Sequence, residues 1–252
     1  MQQQSSLLKT IGNVILGLVL LAAALGIAAY LLGYFEKPRT STSVTLLWDV
    51  TEDLLPKPHA KAVVPLYNID NSPNDGASFT FRYTSEKSLN PETMFSLAPA
   101  EAHTLVNMFE RKAEIAAFTT AVTAFIDSVV ADTVPGRAQS SIYIPLAETL
   151  NKVAADHTSN RKVVLVYSDL KENSSVISFY DPNMRSLLST DPKAIQERLL
   201  GTVALTDLHG IEVLLLYEPK NADDDRTYRM LSQFYKSLLE GYGARVTIAA
   251  NV

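Results

Sequence analysis

Three kinds of hydrophobic pattern succeed one another along the chain. Residues 11–35, IGNVILGLVLLAAALGIAAYLLGYF, are apolar on every side and carry no charge. Short continuous apolar runs appear later: VTLLWDV (44–50), KVVLVY (162–167), IEVLLLY (211–217) and RVTIA (245–249). Between them lie stretches whose apolar residues recur at helical spacing: 100–130, 140–155, 192–200 and 225–242. Apolar strands alternating with helices predict an α/β fold, a Rossmann-like, doubly wound, mostly parallel sheet covered on both faces.

The first pattern predicts a transmembrane helix over 11–35. Roughly 25 helical residues span about 37 Å, enough to cross a ~30 Å hydrocarbon core with some tilt. A cleaved signal peptide is the rival reading, but its apolar core is normally about 7–15 residues, shorter than this run. Tyr30, Tyr34 and Phe35 suit a membrane interface. Lys9 and the terminal amine flank one end, Lys37 and Arg39 the other, so the charge bias fixes no side. The expected layout is a tail at 1–10, the span at 11–35, a polar linker at 36–43 and one soluble domain at 44–252. The chain is expected to be a single-pass membrane protein, its domain leaning to the extracytoplasmic side.

Within the domain, LLPKPHA reads as a loop. KAVVPLY (61–67) reads as a second strand, with Pro65 placing it at an edge or bulge. NIDNSPNDG is dense in turn residues, and ASFTFRYT (77–84) alternates as a strand does, so the two strands suggest a hairpin or edge ribbon. Leu105, Met108, Phe109, Lys112, Ile115 and Phe118 mark one face of a long helix, or of two helices end to end. SSIYIPLAETLNKVAA reads as a helix opened by a serine cap, with Pro145 tolerated in its first turns. VISFY (176–180) is a short strand or a loop segment. Gly201 stops the helix at 192–200, and Asp223–Asp225 stand at the amino end of the last helix, where the dipole favours them.

Composition narrows the function classes. The chain is 47% hydrophobic and 19% charged, which is neither disordered nor coiled-coil in type. A net charge of -5 gives no basis for nucleic-acid binding. With no cysteine there is no disulfide, thiolate zinc site or cysteine nucleophile. His59, His103, His157 and His209 show no metal-ligand spacing and read as surface or loop residues. Trp48 reads as core, and Asn173-Ser174-Ser175 as an incidental match to the glycosylation pattern.

The chemistry concentrates at two strand ends. After VTLLW come Asp49, Thr51 and Asp53, whose alternate spacing points them the same way along an extended segment. After KVVLVY comes Ser168-Asp169-Leu170, and Ser140-Ser141 opens the intervening helix. Open α/β sheets bind ligands at the carboxyl ends of their strands. Oxygen ligands from three loops suit a hard cation such as Mg²⁺ or Mn²⁺. Asp49 and Asp53 as loop or helix caps, and Asp169 as a turn former, are the purely structural alternative.

Residues 44–252 resemble the von Willebrand factor type A (vWA) domain family on these motifs. The family's D-x-S-x-S is read here as Asp49-Val50-Thr51-Glu52-Asp53, its second-loop threonine as Ser140 (or Ser141), and its third-loop aspartate as Asp169. The resemblance implies a degenerate metal-ion-dependent adhesion site whose ligands are Asp49, Thr51, Asp53, Ser140 and Asp169. It also implies protein–protein interaction, with an unknown partner in a membrane-associated assembly.

Asp53 departs from the family's serine. Three ionised carboxylates would over-neutralise a divalent cation and repel an anionic partner group. The expectation is therefore a cation held mainly for structure, or a site that has lost its ligand-capture role; a metal-free scaffold of the same fold is the alternative. An enzyme is not expected, since no G-x-S-x-G, P-loop, G-x-G-x-x-G or H-E-x-x-H occurs. The catalytic alternative is a Mg²⁺-dependent phosphohydrolase with Asp49 as nucleophile, but Thr51 stands where such enzymes place a second aspartate.

Overall fold

The apolar runs become strands of one six-stranded sheet. A computed structural model of the protein describes residues 15–28, 39–50, 57–84, 92–100, 108–132 and 141–249. The strands are β1 (Ser41–Asp49), β2 (Gly76–Thr84), β3 (Thr93–Leu97), β4 (Arg161–Tyr167), β5 (Ile211–Leu216) and β6 (Arg245–Ala249). Their order across the sheet is β3-β2-β1-β4-β5-β6. All neighbouring pairs are parallel except β2 with β3. β1 starts at Ser41, inside the stretch expected to be linker.

Side chains alternate between two cores, as a strand's period of two requires. Val44, Leu46 and Trp48 of β1 face Phe118, Val122 and Ile126 of the long helix α3 (Met108–Asp132). Leu47 faces the opposite core, built on α4 (Tyr143–Ala155), α5 (Pro182–Thr190), α6 (Pro192–Leu200) and α7 (Ala222–Gly241). The sheet is thus covered on both faces, and the doubly wound arrangement is observed.

Several local expectations change. Residues 61–67 are not a strand: Ala60–Val63 form a helical turn, α2, followed by a 3-10 turn over Val64–Tyr67 with Pro65 at its start. The segment lies across the sheet, burying Val63 and Tyr67, and the Tyr67 hydroxyl donates to the Ser78 carbonyl at 3.2 Å. Consequently β2 is no half of a hairpin with 61–67; it is an interior strand, and β3 is the edge. Residues 176–180 form a loop with one isolated bridge, Asn173 to Ser178. A helix unforeseen in the sequence, α5, begins where Asp181 accepts from the Asn183 N–H at 2.8 Å.

Residues 15–28 form a helix, α1 (Ile15–Ala28), exposed along its length. The rest of the 11–35 span lies outside the described residues. Among those described, α3 is the helix long and apolar enough to cross a membrane. It nevertheless packs on the sheet through Phe118, Val122 and Ile126.

Candidate functional site

Strand order sets the site. Chain direction across the sheet reverses between β1 and β4, which are parallel neighbours. Such a switch point leaves a crevice beyond the strands' carboxyl ends. Asp49 ends β1 and Ser168-Asp169 follow β4, so both expected carboxylates reach this crevice. Both are buried. Thr51, Asp53 and Ser140 lie outside the described residues.

The two aspartates are held differently. Asp49 Oδ2 accepts from the Ser168 hydroxyl at 2.8 Å. That hydroxyl also accepts from the Leu170 N–H at 2.9 Å, closing a tight turn in which Leu170 takes a left-handed φ of 61°. Asp169 Oδ1 accepts from the Lys171 N–H at 2.9 Å. Its Oδ2 lies 3.0 Å from the Lys171 ammonium, as an ion pair. Burial pushes the Asp169 carboxyl up to about 6; Lys171 pulls against this, and the charge on Asp49 adds to the rise. Desolvation here outweighs the neighbouring cation.

Lys171 and Glu172, which the sequence did not single out, complete the site together with Asp224, which was read there only as part of an acidic helix start. The Lys171 ammonium lies 3.0 Å from Asp224 Oδ1 as well as from Asp169, and so bridges the third loop to the amino end of α7. Asp224 Oδ2 in turn accepts from the Tyr217 hydroxyl at 2.6 Å and the Lys220 N–H at 2.9 Å. Although burial opposes it, these bonds and Lys171 hold the Asp224 carboxyl below its ordinary value. Asn221 caps the same helix, its side chain accepting from the N–H groups of Asp223 and Asp224.

Glu172 does the work expected of a serine cap. Its Oε2 accepts the Ile142 and Tyr143 N–H groups, each at 2.7 Å, at the start of α4. These are among the donors a helix start leaves without an intrahelical partner. Ile142 occupies the cap position and offers no side-chain acceptor. Burial raises the Glu172 carboxyl despite both bonds. The Ser141 hydroxyl is buried, as is that of Thr84, which neighbours Asp49 in register on β2. The Thr84 hydroxyl has no hydrogen-bond partner among the described residues, and the Ser141 hydroxyl faces the Glu172 carboxyl.

Beside Lys171 and Asp224 lies a groove of about 340 Å³ bordered by Tyr180, Arg185, Lys220, Asp223 and Thr227. Among the described residues no group of three or more His, Asp or Glu is arranged to hold a metal ion. The described histidines, His59, His157 and His209, are exposed, and Trp48 is core, as the sequence suggested.

No family model matches the sequence, and no curated protein does. Several solved structures share a distant likeness with this chain, among them the following two. The pilus adhesin SpaC from Lactobacillus rhamnosus GG is 13% identical, with a TM-score of 0.42 over 86% of this chain and 29% of that one. This chain therefore spans less than a third of the adhesin's length. An aerotolerance-related membrane protein from Bacteroides fragilis, solved with multiple mutations to serines, is 11% identical, with a TM-score of 0.32 over 83% of this chain and 92% of that one.

Proposed function

We propose that this chain is a membrane-anchored, vWA-like interaction module whose carboxyl edge meets a protein partner in a membrane-associated assembly. The observation that carries the reading is the meeting of Asp49 and Asp169 at the switch point of a doubly wound sheet, in the motif order of that family. The anchor at 11–35 would raise the domain's effective concentration for partners in the same membrane. The groove lined by Tyr180, Arg185 and Lys220 gives the edge a surface wide enough for a partner's side chains.

The role is binding, not catalysis. A phosphohydrolase would need Asp49 free to attack, whereas Asp49 is fully buried and its Oδ2 accepts from Ser168. The test uses the full chain in its source cells, with a photoreactive residue at Tyr180 or Lys220. Discrete protein adducts are expected in the membrane fraction. The same residue at His157 or Asp207, in exposed loops at the opposite sheet edge, should give none. Equal labelling from both edges, or from neither, overturns the reading.

A further inference from the structure

The vWA-like reading places a Mg²⁺ or Mn²⁺ ion against Asp169, and the fit of that ion can be judged from the described residues. In favour stands Thr84 Oγ1, a buried oxygen without a hydrogen-bond partner among the described residues. Against it stands Lys171. Its ammonium already faces Asp169 Oδ2 at 3.0 Å and is fixed from the other side by Asp224 Oδ1, also at 3.0 Å. A Mg²⁺ bound to that oxygen at about 2.1 Å would sit no more than about 5 Å from the ammonium. Like charges at that separation repel strongly in a partly dry crevice. The remaining oxygen of Asp169 already accepts the Lys171 N–H. Asp49 Oδ2 likewise accepts the Ser168 hydroxyl. The described residues do not fit a resident divalent ion.

We infer that Lys171 is the resident cation of this site: its ammonium takes the position against Asp169 that the family resemblance assigns to a metal, and excludes the metal from it. The lysine stands two residues after the aspartate, so the tight turn at Leu170 is what brings the ammonium back over the carboxylate. A metal held by loops is exchangeable and responds to chelators; a lysine is neither. A partner that docks at this edge therefore meets an ammonium already paired with two carboxylates rather than an open metal coordination position. The inference deepens the proposed function and fails separately from it, since adducts at Tyr180 and Lys220 are scored without reference to any cation.

The experiment uses the full chain in detergent micelles at neutral pH with Mn²⁺ alone as probe, read by electron paramagnetic resonance and by the thermal midpoint. The wild-type chain is expected to show no saturable Mn²⁺ binding and no rise in midpoint at millimolar metal. Lys171→Ala is expected to melt several degrees lower and to gain saturable Mn²⁺ binding, which Asp169→Asn then removes. Lys171→Arg, which keeps the charge, should behave as wild type and serves if Lys171→Ala does not fold. Saturable Mn²⁺ binding by wild type or by Lys171→Arg overturns the inference. So does a folded Lys171→Ala chain that binds no Mn²⁺, because ammonium and metal would then not compete for the position.

Discussion

Glu172 and Tyr143, far apart in sequence, are joined where Glu172 Oε2 accepts the Tyr143 N–H at 2.7 Å, and the same oxygen accepts from Ile142. One buried carboxylate thus closes the start of α4 and ties it to the loop after β4. The bonds are charge-assisted and so stronger than neutral ones. Glu172→Ala leaves two buried N–H donors unmet and is expected to cost about 2–4 kcal/mol in chemical unfolding. Glu172→Gln keeps one acceptor oxygen and should cost about half as much. Amide exchange at Ile142 and Tyr143 should quicken in both variants, more in the alanine one. Unchanged exchange there would mean that the carboxylate does not cap the helix.

The Asp169 carboxyl makes stability depend on pH in an uncommon direction. Burial holds it at about 6 in the folded chain, above the ordinary 3.8. Between those values the folded state binds more protons than the unfolded one, so this group's contribution falls as pH rises. Above about pH 6 the folded state carries the full cost of a buried charge, on the order of 3 kcal/mol. The unfolding free energy of wild type relative to Asp169→Asn should therefore decline from pH 4 to pH 6 and stay level above that. Parallel pH profiles for the two proteins would show that Asp169 titrates normally.

At the opposite edge of the sheet, Arg111 acts as a buried clamp. Its guanidinium donates to the carbonyls of Pro73 (2.7 Å), Asp75 (2.7 Å) and Ala98 (2.9 Å), and to Glu114 at 2.8 Å. These bonds fasten the start of α3 to the turn before β2 and the end of β3. The residue is buried, so Arg111→Ala strands three carbonyls and is expected to cost about 3 kcal/mol. Arg111→Lys cannot reproduce the planar fork and should recover less than half of that. Urea midpoints of the two variants, compared with wild type, check the order.

How legible each part was follows from its surroundings. β4 is buried on both faces from Val163 to Tyr167, so it reads as an unbroken apolar run. β3 is an edge strand with Met94 68% exposed, and its five residues offer no alternation strong enough to stand out. KAVVPLY has a strand's composition, but it packs across the sheet rather than joining it, and a helical turn buries Val63 and Tyr67 there. Asp49 and Asp169 could be found because a polar residue ending a buried strand is a local pattern. Lys171 and Glu172 could not, and Asp224 was legible only as an acidic helix start, because their roles exist only once the starts of α4 and α7 meet the loop after β4. Two carboxylates were therefore legible, but not the lysine that neutralises one of them.

That meeting also makes the cap of α7 part of the site. Asn221 Oδ1 accepts from the N–H groups of Asp223 and Asp224, both at 3.0 Å. The cap fixes the backbone at Asp224, whose carboxylate positions the Lys171 ammonium. Replacing an Asn cap by Ala ordinarily costs about 1 kcal/mol. Asn221→Ala is expected to cost that much in unfolding and to weaken the link between Lys171 and Asp224 as well. Asn221→Ser, which keeps a capping oxygen, should retain most of the stability. A double-mutant cycle of Asn221→Ala with Lys171→Met isolates the second effect. If the cap merely closes the helix, the two losses add; if it positions Asp224 for the lysine, the double variant loses measurably less than their sum.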